Sequence, residues 1–219
     1  MTTASLNRSI TFGAGAYAFA ETGQVVDSDS MRVWDIDLPA LPSENTGTLT
    51  IGENAVLALA TGHNISDSDL VDAYWDDDGT PKRRYGLSAA VATNNITLTD
   101  GDDAGGDALQ TATTVTICKQ KVIDDLAIIG NNVEWLAIVY SNASTSAARA
   151  SLDVHDAGGS ELHVDLVHQA ALGGCSNAYN VEGGDANPIA GDTIVEGFAS
   201  HNATTAGKLY VLALIDSTA

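Results

Sequence analysis

ATTVTICKQKVIDDLAIIG, residues 112–130, decides the fold class, because Thr114, Thr116 and Cys118 alternate with Val115 and Ile117. A period of two places successive side chains on opposite faces of a strand. The same alternation recurs in MRVWDIDL (31–38), which Pro39 ends, and in ELHVDLVH (161–168). GTLTIG, AVLALATG, VEWLAIVYS, ASLDVH, TIVEGFAS and KLYVLALID add further strand-like runs, and RSITFGAGAYAFA (8–20) reads as a strand pair or a bulged strand. Strands therefore recur about every 10 to 20 residues with no convincing helix between them, the spacing of an all-β chain.

Composition agrees. Of the 29 acids 22 are Asp and seven are Glu, against four Lys and four Gln. Asp, Asn, Gly, Ser and Thr stabilise turns, whereas Thr, Val and Ile fit strands. The 33 Ala residues are interleaved with Gly, Thr, Val and Tyr in short runs, which reads as small-residue sheet packing. Pro39 and Pro42 mark residues 39–47 as an ordered crossover loop, since proline fixes φ and removes a donor. Asp76-Asp77-Asp78-Gly79 is a turn signal, and TDGDDAGGD (99–107) reads as another acidic, Gly-rich turn. AIVYSNASTSAARASLDV and EGFASHNATTAGKLYVLAL share the format of a hairpin with a polar turn. No composition break marks a boundary. The expectation is one domain over 1–219, an antiparallel β-sandwich or jelly roll with long acidic loops and a short N-terminal arm.

Length, charge and cysteines exclude several classes. At 219 residues the chain is long enough to bury a core without staples. A formal net charge of −20 opposes the phosphate field, so nucleic acid is not an expected partner. No apolar run approaches the roughly 20 residues of a membrane-spanning helix, and Met1 to Ser9 lacks a basic segment followed by an apolar stretch. Two cysteines, Cys118 and Cys175, make neither a disulfide framework nor a four-ligand zinc site.

The chemistry-bearing residues fall into three groups. Glu161, His163 and Asp165 share a parity that a divalent ion could use, near His155, His168, Asp153 and Asp156; the alternative is the polar outer face of a half-buried strand. Asp100, Asp102, Asp103 and Asp107 could offer oxygens to calcium, as could Asp76 to Asp78, but neither run has EF-hand spacing, and solvated turns account for both. Lys82-Arg83-Arg84 is the only dense positive run. It either neutralises Asp76 to Asp78 across a hairpin or docks onto an acidic neighbour through bidentate arginine contacts. Trp34, Trp75 and Trp135 are dispersed in strands, which suits core packing better than a sugar platform. The nucleophile-elbow, zincin, Walker A, Cys-x-x-Cys and dinucleotide motifs are absent, so an enzyme is not expected.

A strongly acidic, all-β chain beginning MTTASLNRSITFG and filled with Ala, Gly, Thr and Asp resembles tailed-bacteriophage structural proteins, the capsid decoration (cement) proteins above all. The resemblance lies in overall style and carries over no functional residue. It implies a jelly roll or related sandwich, often trimeric, bound outside an icosahedral head and strengthening contacts among major capsid subunits. Self and the major capsid protein are then the partners, the outer capsid surface is the location, and no cofactor is needed. A calcium-dependent carbohydrate- or receptor-binding module of a phage fibre is the alternative, and exposed aromatic clusters would favour it.

Overall fold

The computed structural model describes residues 4–12, 15–23, 30–123, 132–142, 148–156, 161–168, 174–180 and 194–216; side chains are described for 34–123, 138–142, 148–155, 163 and 196–211. In chain order the strands begin with β1 (Ala4–Phe12), β2 (Gly15–Gly23), β3 (Ser30–Leu38), β4 (Thr46–Ile51) and β5 (Ala55–Ala58). They continue through β6 (Leu70–Asp77), β7 (Thr80–Ala92), β8 (Asn95–Gly106), β9 (Ala112–Lys119), β10 (Lys121–Val122) and β11 (Asn132–Asn142). The last are β12 (Ala148–Asp156), β13 (Glu161–His168), β14 (Gly174–Asn180), β15 (Ile194–His201) and β16 (Gly207–Asp216). One 3-10 turn, Ser43–Asn45, interrupts the Pro39 to Gly47 crossover. Among the described residues there is no α-helix, as the alternation predicts.

The expected single domain resolves into two compact units. Pro39–Lys121 and Ser200–Thr205 form one, and Met1–Leu38, Val122–Ala199 and Ala206–Ala219 form the other. Both units are acidic and turn-rich, so no composition shift marks where one is inserted into the other.

The first unit is a closed barrel in the order β4-β5-β8-β7-β6-β9. Its interior is filled by Leu49, Leu57, Val71, Ala73, Trp75, Leu87, Ile96, Leu98, Val115 and Ile117 among others. These are alternate residues of each strand, and closure leaves no sheet edge to protect. Trp75 is thus a core residue, as its strand context predicts. The hairpin between β6 and β7 turns at Asp78 (φ 50°) and Gly79 (φ 83°), the left-handed pair that a two-residue loop requires, and Asp76 Oδ1 accepts the Gly79 amide hydrogen at 2.5 Å.

TDGDDAGGD is not a turn. It continues β8 to Gly106, with a bulge between the pairs Leu87↔Asp100 and Tyr85↔Gly105. Gly86 faces that bulge at φ +67°, and a Cβ there would sit 2.6 Å from the Asp103 carbonyl oxygen. The chain can pass so closely only where no side chain intervenes.

The second unit holds two four-stranded sheets, β14-β11-β16-β3 and β10-β15-β12-β13, and a separate two-stranded sheet, β1-β2. In the first sheet every neighbouring pair is antiparallel. The two segments that read as similar hairpins are not hairpins: β11 and β12 lie in different sheets, and so do β15 and β16. A polar turn between apolar strands satisfies a sheet-to-sheet crossing as well as a hairpin, so local pattern does not separate them. β14 was not legible, because GCSNAYN lacks β-branched residues.

Ser200–Thr205 binds the barrel unit through main-chain and side-chain contacts. The Leu41 amide donates to the Ala203 carbonyl at 3.0 Å, and His201 Nε2–H donates to the Pro39 carbonyl at 2.7 Å. Burial lowers the His201 pKa from its ordinary 6.5, and the Pro39 carbonyl only partly offsets this. Above about pH 6.5 the imidazole is neutral in folded and unfolded chains alike. As pH falls through that value the unfolded chain takes up a proton first, so stability is lost until the folded histidine also titrates. Thermal melts between pH 7.5 and 5 should show this loss, and His201→Gln should flatten the slope; an unchanged slope would remove His201 as its source.

Candidate functional site

The outer sides of the barrel strands divide into two regions. Asp72 and Tyr74 of β6 and Cys118 of β9 point away from the interior, yet all are almost fully buried. Arg83, opposite Tyr74 in the β6–β7 register, joins them. Asp72 is the hub: Oδ2 accepts Arg83 Nη2 at 2.6 Å and Ser200 Oγ at 2.5 Å, and Oδ1 accepts Gln120 Nε2 at 2.9 Å and the Gly86 amide at 3.2 Å. Because the Ser200 hydroxyl hydrogen goes to Asp72, the Tyr74 hydroxyl donates to Ser200 Oγ, at 2.6 Å. The Arg83 guanidinium also lies 4.7 Å from the Tyr85 ring centroid.

This arrangement answers the reading of Lys82-Arg83-Arg84 as a docking run. Adjacent residues of a strand point to opposite faces, so Arg83 goes one way and Lys82 and Arg84 the other. Arg83 is 2% exposed and paired with Asp72, so it is not available to a partner. Lys82 Nζ lies 2.9 Å from Asp107, whose carboxylate raises the lysine pKa, and Arg84 binds Asp100 through Nε at 3.1 Å and Nη2 at 2.7 Å. All three are ion-paired within their own unit, with Asp107, Asp72 and Asp100 in turn, and of Asp76 to Asp78 only Asp77 adds to the field on Lys82. Lys119 with Asp69 and Lys208 with Asp35 and Asp37 follow the same rule.

Those pairs bear equally on the calcium candidates. Of Asp100, Asp102, Asp103 and Asp107, the first is bound to Arg84, and the last accepts from Lys82 Nζ and, at 3.0 Å, from the Arg83 amide. Asp102 and Asp103 are exposed in the β8 bulge. Two of the four carboxylates are thus already neutralised by cations of their own unit.

The histidine group is partly assembled. His163 Nδ1 lies 2.8 Å from Asp153 Oδ1 across the β12–β13 register, and His155 Nδ1 lies 3.4 Å from Glu196 Oε1. The two imidazoles meet edge to face at 6.4 Å, with the Phe198 ring 5.4 Å from His155. The side chains of Glu161, Asp165, His168 and Asp156, and of Trp135, lie outside the described residues, so the trio Glu161, His163 and Asp165 is not placed. The polar outer face expected of Glu161 to Leu166 lies outside the described side chains except at His163, which is half-buried, whereas on the neighbouring β12 Arg149, Ser151, Asp153 and His155 are buried, as are Ala150, Leu152 and Val154 on the other side. Alternation tells polar from apolar, not dry from wet.

On β4, β5, β7 and β8 the barrel exterior includes exposed uncharged positions. Thr48 and Thr50 of β4, Ala58 of β5, Thr99 of β8 and Ala90 of β7 are exposed at outward positions, and no acid or base lies among them. Cys118 is chemically quiet: burial, and then the Asp72 charge, raise its pKa far above the ordinary thiol value. Among the described side chains no aromatic is exposed, so the feature that would favour a fibre-tip sugar platform is not found there. No protein-family model matches the chain, and no curated protein matches it.

Two outcomes follow. Arg83→Ala leaves Asp72 buried without its cation and should cost roughly 3–5 kcal/mol in a denaturant melt, whereas Arg84→Ala, at a half-open pair, should cost about 0–1 kcal/mol. Equal losses would refute the distinction. Calcium at millimolar concentration should leave the melting temperature unchanged and release no heat; a saturable signal lost in Asp102→Asn/Asp103→Asn would reinstate the acidic bulge as a calcium site.

Proposed function

We propose that this chain is a structural virion protein, a decoration subunit that binds the outside of a tailed-phage capsid and stabilises contacts between major capsid subunits. The observation that carries the reading is strand order. Taken as one set, β3 and β10 to β16 are eight strands in two sheets, β3-β16-β11-β14 and β10-β15-β12-β13. Along the chain every connection except β12 to β13 changes sheet. This is the order of a jelly roll, the double Greek key of many capsid and lectin domains, with the barrel inserted in its first connection. The jelly roll is part of the proposal, and strand order supports it.

Charge supports the outer location. A subunit of net charge −20 is repelled by packaged nucleic acid, whereas the same charge turned to water keeps particles dispersed. The ion pairs described above redirect the docking chemistry. With Lys82, Arg83 and Arg84 committed to carboxylates of their own chain, attachment to an acidic neighbour through them would first have to break those pairs. Attachment through uncharged surface carries no such cost.

Purified protein should bind shells assembled from the major capsid protein alone, raise the temperature at which they rupture, and give added density on the outer wall by cryo-electron microscopy. Density on the inner wall, absence of binding, or turnover of a substrate would each overturn the reading.

A further inference from the structure

The flank of the barrel formed by β4, β5, β8 and β7 carries no charge over three successive register rows. The middle row runs Thr50, Val56, Thr97 and Ala90, through the pairs Thr50↔Val56, Val56↔Thr97 and Ala90↔Thr97. On one side of it Thr48, Ala58, Asn95 and Ala92 are joined in the same way. On the other side Ser88 pairs with Thr99 and with Leu70 of β6. The alternate residues, among them Leu49, Leu57, Leu87, Ile96 and Leu98, fill the barrel interior, so the side chains of these rows point outward.

They also reach solvent. Thr48, Thr50, Ala58, Ala90, Ala92 and Asn95 are exposed, and Val56, Thr97 and Ser88 are half-buried. Leu70, at 44%, is one of three exposed large apolar side chains among the described residues. Acids resume at the margins of the flank: Glu53 in the turn between β4 and β5, Asp67 on the Val91 amide, and Asp100 next to Thr99.

We infer that this flank is a self-association surface, and that its occupant is the same flank of a second copy of this chain. Charge singles out that occupant. Two copies of net charge −20 repel each other, and a contact that brings no charge into the interface adds nothing to that repulsion. A cationic partner would find no carboxylate to pair with on these rows, and an anionic partner no base. Thr, Ser and Asn side chains each donate and accept hydrogen bonds, so the flank is complementary to itself across a two-fold axis. A convex barrel wall meets its copy over less than the roughly 800 Å² per partner of a standard interface, which makes the contact weak and reversible. The inference does not depend on capsid binding, because oligomerisation is read without shells.

Sedimentation of the full chain from about 10 to about 500 µM should shift from a single chain of 22.5 kDa to a defined multiple of it. Added salt should strengthen the association, because the marginal acids repel each other across the contact, whereas an interface held by ion pairs would weaken. Thr50→Glu/Ala90→Glu should weaken it roughly tenfold or more with the thermal melt of the chain unchanged, and Ala90→Thr should leave it intact. Mixing Thr50→Glu/Ala90→Glu chains with Thr50→Lys/Ala90→Lys chains should restore it, because the flank meets itself. A monomer at every concentration, an oligomer indifferent to the glutamates, a mixture that stays dissociated, or a monomer that instead binds shells through this flank would overturn the inference.

Discussion

The buried pair of Asp72 and Arg83 is the interaction on which the barrel unit depends. Burying two ions is costly, and here the two Asp72 oxygens accept further hydrogen bonds that help to repay that cost. The donors to Asp72 come from separate parts of the chain: Arg83 and the Gly86 amide from β7, Gln120 from the segment after β9, and Ser200 from far along the sequence. One carboxylate therefore ties three segments together. The Ser200–Thr205 stretch belongs to the barrel unit, where the Ser200 hydroxyl joins that set, the His201 imidazole bonds the Pro39 carbonyl and the Ala203 carbonyl accepts the Leu41 amide.

The same frugality with positive charge runs through the molecule. Nine bases serve 29 acids, and the five whose ion pairs are given above each sit beside an Asp of their own unit. Consequently the positive run at 82–84 is not a free patch.

In the proposed reading the second unit is a jelly roll. A jelly roll brings consecutive strands into opposite sheets, so its loops cluster at the ends, and an insertion there can grow into a whole barrel without disturbing the sheets. Insertion between β3 and β10 is such a case in the proposed reading, and it leaves the eight-strand pattern intact on either side of residues 39–121.

Strand identity was written locally. ATTVTICK, MRVWDIDL and KLYVLALID alternate, and alternation with β-branched residues suffices to make a strand wherever it lies; Asp78-Gly79 likewise sets its own left-handed turn. Three things were decided only in the folded chain. Whether a polar turn closes a hairpin or crosses between sheets depends on which distant strand offers its edge, and so VYSNAS and ASHNATT misled. That Asp72 also accepts a hydrogen bond from Ser200, more than a hundred residues away, is visible only in the folded chain. Whether the polar parity of β12 is dry depends on what packs over it. Sequence spacing encodes the direction of a side chain relative to its own backbone, and long-range packing alone determines what that side chain finds there.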